Sequence, residues 1–102
     1  MEDKRVLTEI ITPDKMFFSG EVDMLIAETV LGQEGYLKDH SWCCKLLAEN
    51  GFAKLKRDNE TVTVKLNGGY IDVNDKFIIY TEDAQWEDSE QGRLFAGTDD
   101  DE

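Results

Sequence analysis

The pattern TVTVKL over residues 61–66 alternates polar and apolar side chains without a break, the period of a strand with one buried face. Val62, Val64 and Leu66 are its core positions. Asp58 and Asn59 tolerate positive φ and predict a tight hairpin back to a strand over residues 52–56. Downstream, Asn67-Gly68-Gly69 leads into YIDV over residues 70–73, and Asn74-Asp75 turns that segment into KFIIY over residues 76–80. Three successive hairpin connections predict a meander. Upstream, residues 5–12 form a β-branched strand ended by Thr12-Pro13-Asp14-Lys15, with Pro13 at the first central position of a turn. Residues 16–18 and 22–27 read as further strands around a Ser19-Gly20 turn, and Gly32 to Gly35 carries another turn signal. This many short strands between regular turns predict an all-β chain, a β-sandwich or a barrel.

One segment departs from that period. Residues 41–49 begin with the N-cap type Ser41, continue through the helix formers Lys45, Leu46, Leu47 and Ala48, and stop at Asn50-Gly51, so propensity predicts a helix. After Thr81 the residues turn strongly acidic. Nine acids and one base between Glu82 and Glu102 carry −8 of the net charge of −12, leaving −4 for residues 1–81. This shift predicts a domain over residues 1–84 followed by a solvated acidic tail over residues 85–102. Gly92 and the terminal acids argue against a long helix there.

With 102 residues, 40% of them hydrophobic, the chain has the material for one self-sufficient core. Its negative charge disfavours nucleic acid and anionic lipid, which require a basic surface. No run approaches the length of a membrane span and no signal-peptide core follows the first residues, so neither direct membrane insertion nor export is expected, and a cytoplasmic location is. Adjacent Cys43 and Cys44 cannot readily bridge each other and read as reduced thiols.

Candidate chemistry is sparse. If residues 40–49 were helical, His40, Cys43 and Cys44 would share one face at i, i+3 and i+4 and would offer three zinc ligands or a Cys–His nucleophilic pair. No fourth ligand is evident, and packing is the plainer role for both cysteines. The glycine pairs lack the GK[ST] of a phosphate loop, and the acidic terminus lacks the spaced oxygens of a calcium loop. Trp42 and Trp86 read as core aromatics or as interface anchors. No catalytic residue, metal or cofactor is predicted.

The order of four motifs carries a resemblance. Residues 8–22, TEIITPDKMFFSGEV, resemble the opening of the epsilon subunit of F-type ATP synthase, where a first strand runs into a "TPE…FSGEV" turn. Residues 32–40, GQEGYLKDH, are similar to that family's GELGILPGH loop. Residues 66–73, LNGGYIDV, match SGGFLEV, and residues 77–84, FIIYTEDA, match VTILADTA. The implied fold is the family's N-terminal domain, a flattened β-sandwich of mostly antiparallel strands. The resemblance also implies a strand, not a helix, after His40, because the family has APLL there and the paired leucines stand where Cys43 and Cys44 do.

The implied function is that of a non-catalytic central-stalk subunit that couples proton or sodium transport to ATP synthesis. Its implied partners are the gamma subunit and the c-ring, which would hold it at the periphery of the inner membrane. Carried over by position, the c-ring-facing loop comprises Gly32, Gln33, Glu34, Gly35, Tyr36, Leu37 and His40, and the gamma-facing surface includes Thr12, Trp42 and Lys45. The chain departs from the pattern at Gln33, at Lys38-Asp39 in place of Pro-Gly, and at Ser41-Trp42 in place of Ala-Pro. Only 18 residues follow Ala84, too few for the family's C-terminal helical hairpin, so a short form without the hairpin's inhibitory and nucleotide-binding roles is expected. The alternative is a stand-alone sandwich that serves as an adaptor outside the synthase. Exposed strand edges would favour self-association when the partner is missing.

Overall fold

The structure is a computed structural model that describes residues 4–97. Ten strands and one helix follow in chain order: β1 (Val6–Ile11), β2 (Met16–Val22), β3 (Met24–Thr29), β4 (Gly32–Tyr36), β5 (Cys43–Leu46), β6 (Gly51–Arg57), β7 (Glu60–Leu66), β8 (Tyr70–Val73), β9 (Phe77–Tyr80), β10 (Ala84–Trp86) and α1 (Ser89–Ala96). They build two five-stranded sheets, ordered β2-β1-β9-β8-β5 and β10-β7-β6-β3-β4. Every pairing is antiparallel except β1 with β9. The sheets stack into a flattened sandwich with extents of 37 × 36 × 20 Å, as expected from the alternation.

Between the sheets lie Ile10, Phe18, Val22, Leu25, Leu55, Val64, Ile71, Phe77 and Ile79, all essentially inaccessible. Val62, Val64 and Leu66 face this core from β7, as their period requires. The buried hydroxyl of Thr8 donates to the carbonyl of Val6 at 3.3 Å, so the buried polar side chain of β1 has a partner. Asp58 and Asn59 take φ of 53° and 70° and close the β6–β7 hairpin.

Four expectations change. Residues 41–49 are not helical: β5 pairs with β8 and alternates half-buried Cys43 and Lys45 with exposed Cys44 and Leu46, because ladder pairing to a buried strand outweighs local helix propensity. Ser19-Gly20 is no turn. β2 runs straight through it, and Gly20 is small because the Phe18 ring lies where its Cβ would be, at 2.9 Å. The meander breaks at Asn67-Gly68-Gly69, which carries the chain from β7 in one sheet to β8 in the other; Gly68 and Gly69 have φ of 68° and 97°. A turn over Gly32 to Gly35 is replaced by β4, paired along its whole length to β3.

The tail is also corrected at its start. Ala84–Trp86 adds β10 to β7, and α1 packs Phe95 into the open end of the core, 3% exposed. Trp86 stacks obliquely on Phe17 at 4.9 Å and meets Phe18 edge-on at 5.9 Å. Gly92 of α1 sits against the Trp86 indole, where a Cβ would come within 2.1 Å of Cδ2. Asp88 caps the helix by accepting from the amides of Glu90 and Gln91, and Gly97 ends it in the left-handed conformation. Acidity alone concealed these few apolar anchors. Residues 98–102 lie outside the described residues.

Candidate protein-binding surface

Cross-strand register places Leu46, Tyr70, Tyr80, Ile11 and Met16 in one row across all five strands of the first sheet, on its outer face. Each occupies an outward position of its strand. Leu46, Met16 and Tyr70 are exposed, and the Tyr70 and Tyr80 rings stack at 4.9 Å with planes 28° apart. Beyond the row, a shallow cavity of 440 Å³ opens between the Thr12–Pro13 turn, Tyr70, Tyr80 and Thr81. Thr12 shapes that turn: its amide donates to the carbonyl of Lys15, and its hydroxyl accepts from the Lys15 amide.

The row continues around a corner of the sandwich. The Val30 amide donates to the Leu46 carbonyl at 3.0 Å, which sets the β3–β4 turn beside β5. Val30 and Leu31 at the turn are 60% and 79% exposed. Thr29 holds them out, its hydroxyl donating to the Gly32 carbonyl at 2.8 Å and accepting from the Leu31 amide at 3.1 Å. An outward apolar row and an apolar turn thus form one continuous belt, the kind of surface that a monomer ordinarily keeps small.

The loop expected over residues 32–40 is a strand followed by a turn, and its residues separate. Gly32 and Gln33 adjoin the Val30–Leu31 turn, whereas Leu37 and His40 lie beyond the far end of β4. Tyr36 is fully buried; its hydroxyl donates to Glu34 Oε1 at 2.8 Å and its ring meets His40 edge-on at 5.1 Å. Burial, then the Glu34 carboxylate, pushes the Tyr36 phenol far up. Glu34 is held below the ordinary carboxylate range, first by the Tyr36 hydroxyl and then by Lys45, whose Nζ lies 3.1 Å from Oε2. Gly35 makes room for the Met24 methyl, 2.6 Å from where a Cβ would stand. The Lys38-Asp39 turn closes with His40 donating its amide to Leu37, and Asp39 adopts φ of 71° in place of glycine.

Trp42 is 68% exposed, its indole N–H donating to Asp72 at 3.2 Å, so of the two tryptophans it is Trp86 that joins the core. Strand geometry sends Cys43 and Cys44 to opposite faces, and the three-ligand face with His40 does not form. Cys44 is exposed, against the expectation of packing; Cys43 is half-buried, and burial pushes its thiol up. The row residues were missed in the sequence. Their signal was an apolar residue at outward positions of β8 and β9, but their alignment depends on register.

The fold and this surface define an all-β sandwich with a continuous apolar belt on one face and corner. Residues 6–87 match the model of the ATP synthase delta/epsilon chain β-sandwich domain. The chain belongs to that family. It is 33% identical over 85 residues to the ATP synthase epsilon chain of Caldanaerobacter subterraneus, covering 82% of this chain and 62% of the relative. With the epsilon chain of Alkaliphilus metalliredigens it shares 39% over 79 residues, covering 76% and 58%. With that of Chlorobaculum tepidum it shares 33% over 82 residues, covering 79% and 93%. The chain therefore spans about three-fifths of the length of the first two and nearly all of the third. Among solved structures, a chain of the Euglena gracilis mitochondrial ATP synthase superposes with a TM-score of 0.77 at 19% identity, over 94% of this chain and 63% of that one. A chain of the central stalk and c-ring of Tetrahymena thermophila mitochondrial ATP synthase gives 0.65 at 15%, over 83% and 69%. Both likenesses are of fold. Helix α1 lies beyond the segment that the family model matches.

Proposed function

We propose that this chain is a non-catalytic central-stalk subunit of an F-type ATP synthase, working by protein–protein contact between the gamma subunit and the c-ring, peripheral to the inner membrane. The observation that carries this reading is where the apolar row sits. Thr12 follows Ile11 and Lys45 precedes Leu46, so the two gamma-facing positions implied by the family bracket the row near its two ends. Gamma would cover Leu46, Tyr70, Tyr80 and Ile11, with Thr12 and the exposed Trp42 around them, while Lys45, turned inward onto Glu34, holds β5 beneath them. Aromatic and aliphatic groups at the centre supply affinity, and the surrounding polar groups fix orientation.

The c-ring side is the corner of Val30, Leu31, Gly32 and Gln33. Glu34, Gly35 and Tyr36 act from behind it by holding β4 in place, whereas Leu37 and His40, beyond the far end of β4, stand apart from this corner. The test is titration calorimetry of the chain with the gamma subunit from the same organism. A stoichiometric complex is expected, and a Tyr70→Ser/Tyr80→Ser variant with an unchanged circular dichroism spectrum weakens it at least about 30-fold, the effect of losing a central anchor of about 2 kcal/mol. Absence of binding by the unaltered chain, or full affinity in the variant, overturns the reading.

A further inference from the structure

The 440 Å³ cavity beside the apolar row takes its shape from strand register. Ile11 and Tyr80 are partners in the parallel β1–β9 pair, and Pro13 and Glu82 stand two positions beyond them. The Thr81 amide continues the ladder by donating to the Ile11 carbonyl at 3.0 Å, and its side chain turns into the protein, 5% exposed. Tyr80 and Glu82, on either side of Thr81, both line the cavity. Tyr70, stacked on Tyr80, adds a second aromatic wall, and Gly69 contributes backbone alone.

The hydroxyls in the lining are engaged within the protein. That of Thr12 accepts from the Lys15 amide at 3.2 Å, and that of Thr81 accepts from the Asn67 amide at 3.1 Å and donates to the Asp83 carbonyl at 3.2 Å. Glu82 is the single charged residue of the lining. Its amide donates to the Asn67 carbonyl at 3.3 Å, which fixes its backbone, whereas its carboxylate makes no ion pair among the described residues. Glu49 lies beside Gly68, next to Gly69 of the lining, and Asp14 and Lys15 of the neighbouring turn offset each other. The local field is therefore negative, in keeping with the net charge of −12.

We infer that this cavity receives an arginine side chain of the protein that covers the row, with its stem against Ile11 and Pro13 and its guanidinium against the Tyr70–Tyr80 pair and paired with Glu82. A guanidinium suits both halves of the site: it is planar and weakly hydrated, stacks on aromatic faces, and donates to a carboxylate as a fork. An ammonium lacks the flat face, and an apolar side chain would cover the Glu82 carboxylate without a partner. That the covering protein is gamma rests on the synthase reading; that the cavity selects a guanidinium does not.

The experiment is a ¹H–¹⁵N NMR titration of the full chain with the Nα-acetyl N-methylamides of arginine, citrulline and lysine. Citrulline keeps the shape of arginine and removes the charge. Saturable shifts are expected for the arginine compound at the amides of Thr12, Gly69, Tyr70 and Glu82, with affinity at least about fivefold above the other two. Glu82→Gln should remove that preference and weaken the complex with gamma about fivefold, while Glu60→Gln on the other sheet leaves both unchanged. Citrulline or lysine as tight as arginine, shifts away from the cavity, or gamma bound equally well by Glu82→Gln overturns the inference. Arginine preference in a chain that does not bind gamma supports the pocket and overturns the synthase reading instead.

Discussion

Lys45 Nζ lies 3.1 Å from Glu34 Oε2 and so joins β5, an edge strand of one sheet, to β4, an edge strand of the other. Both side chains are half-buried on the inward side of their strands, and the Tyr36 hydroxyl completes the carboxylate's partners. The two residues that the family resemblance assigns to different partners also touch each other. Inward charges at two neighbouring open edges also discourage edge-to-edge pairing of copies, so they bear on the self-association expected of an isolated sandwich.

This clip makes stability depend on pH. The folded Glu34 carboxyl lies below its ordinary value of 4.5, chiefly because Tyr36 donates to it and secondly because of Lys45. Its contribution is complete above that value and is lost as pH falls through the lowered one, since protonation then favours the unfolded chain. The melting temperature of the unaltered chain should exceed that of Glu34→Gln at pH 7, with the gap closing as pH drops below 4.5. A gap of constant size between pH 7 and pH 3 would assign the effect to something other than the charge.

Helix α1 should behave as part of the domain. Phe95→Ala removes a core ring and is expected to cost about 3–5 kcal/mol. Gly92→Ala drives a methyl into the Trp86 indole, and the overpacking of about 1–3 kcal/mol outweighs the helix propensity that alanine gains. Urea denaturation followed by Trp fluorescence measures both. A solvated tail would leave the midpoint unmoved in each variant.

At the crossover between sheets, Gly69 has φ of 97° and a Cβ there would fall 1.8 Å from the Tyr80 carbonyl oxygen. Gly69→Ala combines a strained backbone with a collision against β9, and about 2 kcal/mol or more of destabilisation is expected. Gly32 has φ of 120° but open space around it, so Gly32→Ala should cost less. Thermal unfolding of the two variants side by side gives the ranking, and an equal loss would show that the close approach at Gly69 is relieved.

The adjacent thiols should differ in reactivity. Cys44 stands in solvent, whereas Cys43 is half-buried with its thiol pushed up by that burial, which lowers its thiolate fraction near neutral pH. A native-state reaction with an aromatic disulfide reagent should release one equivalent quickly and the second slowly. Cys44→Ser should abolish the fast phase and Cys43→Ser the slow one.

Local sequence carried much of the architecture. The alternation over residues 61–66, the Asp58-Asn59 turn and the Thr12-Pro13 turn each have a physical cause within a few residues, and the structure keeps all three. Where the cause lies across the sandwich, local reading misled. Gly20 accommodates the Phe18 ring rather than a turn, residues 43–46 extend because β8 pairs with them, and the acidic terminal stretch hides Trp86, Gly92 and Phe95.

The sequence by itself determined an all-β chain, its main strands and, through four ordered motifs, its family, because side-chain period and turn chemistry act at short range. Only the tertiary structure decided that Asn67-Gly68-Gly69 crosses between sheets, that Glu34 pairs with Lys45, and that Leu46, Tyr70, Tyr80, Ile11 and Met16 form one row. Those relationships depend on strand order and register, which are fixed by burying two sheet faces against each other and not by any single segment.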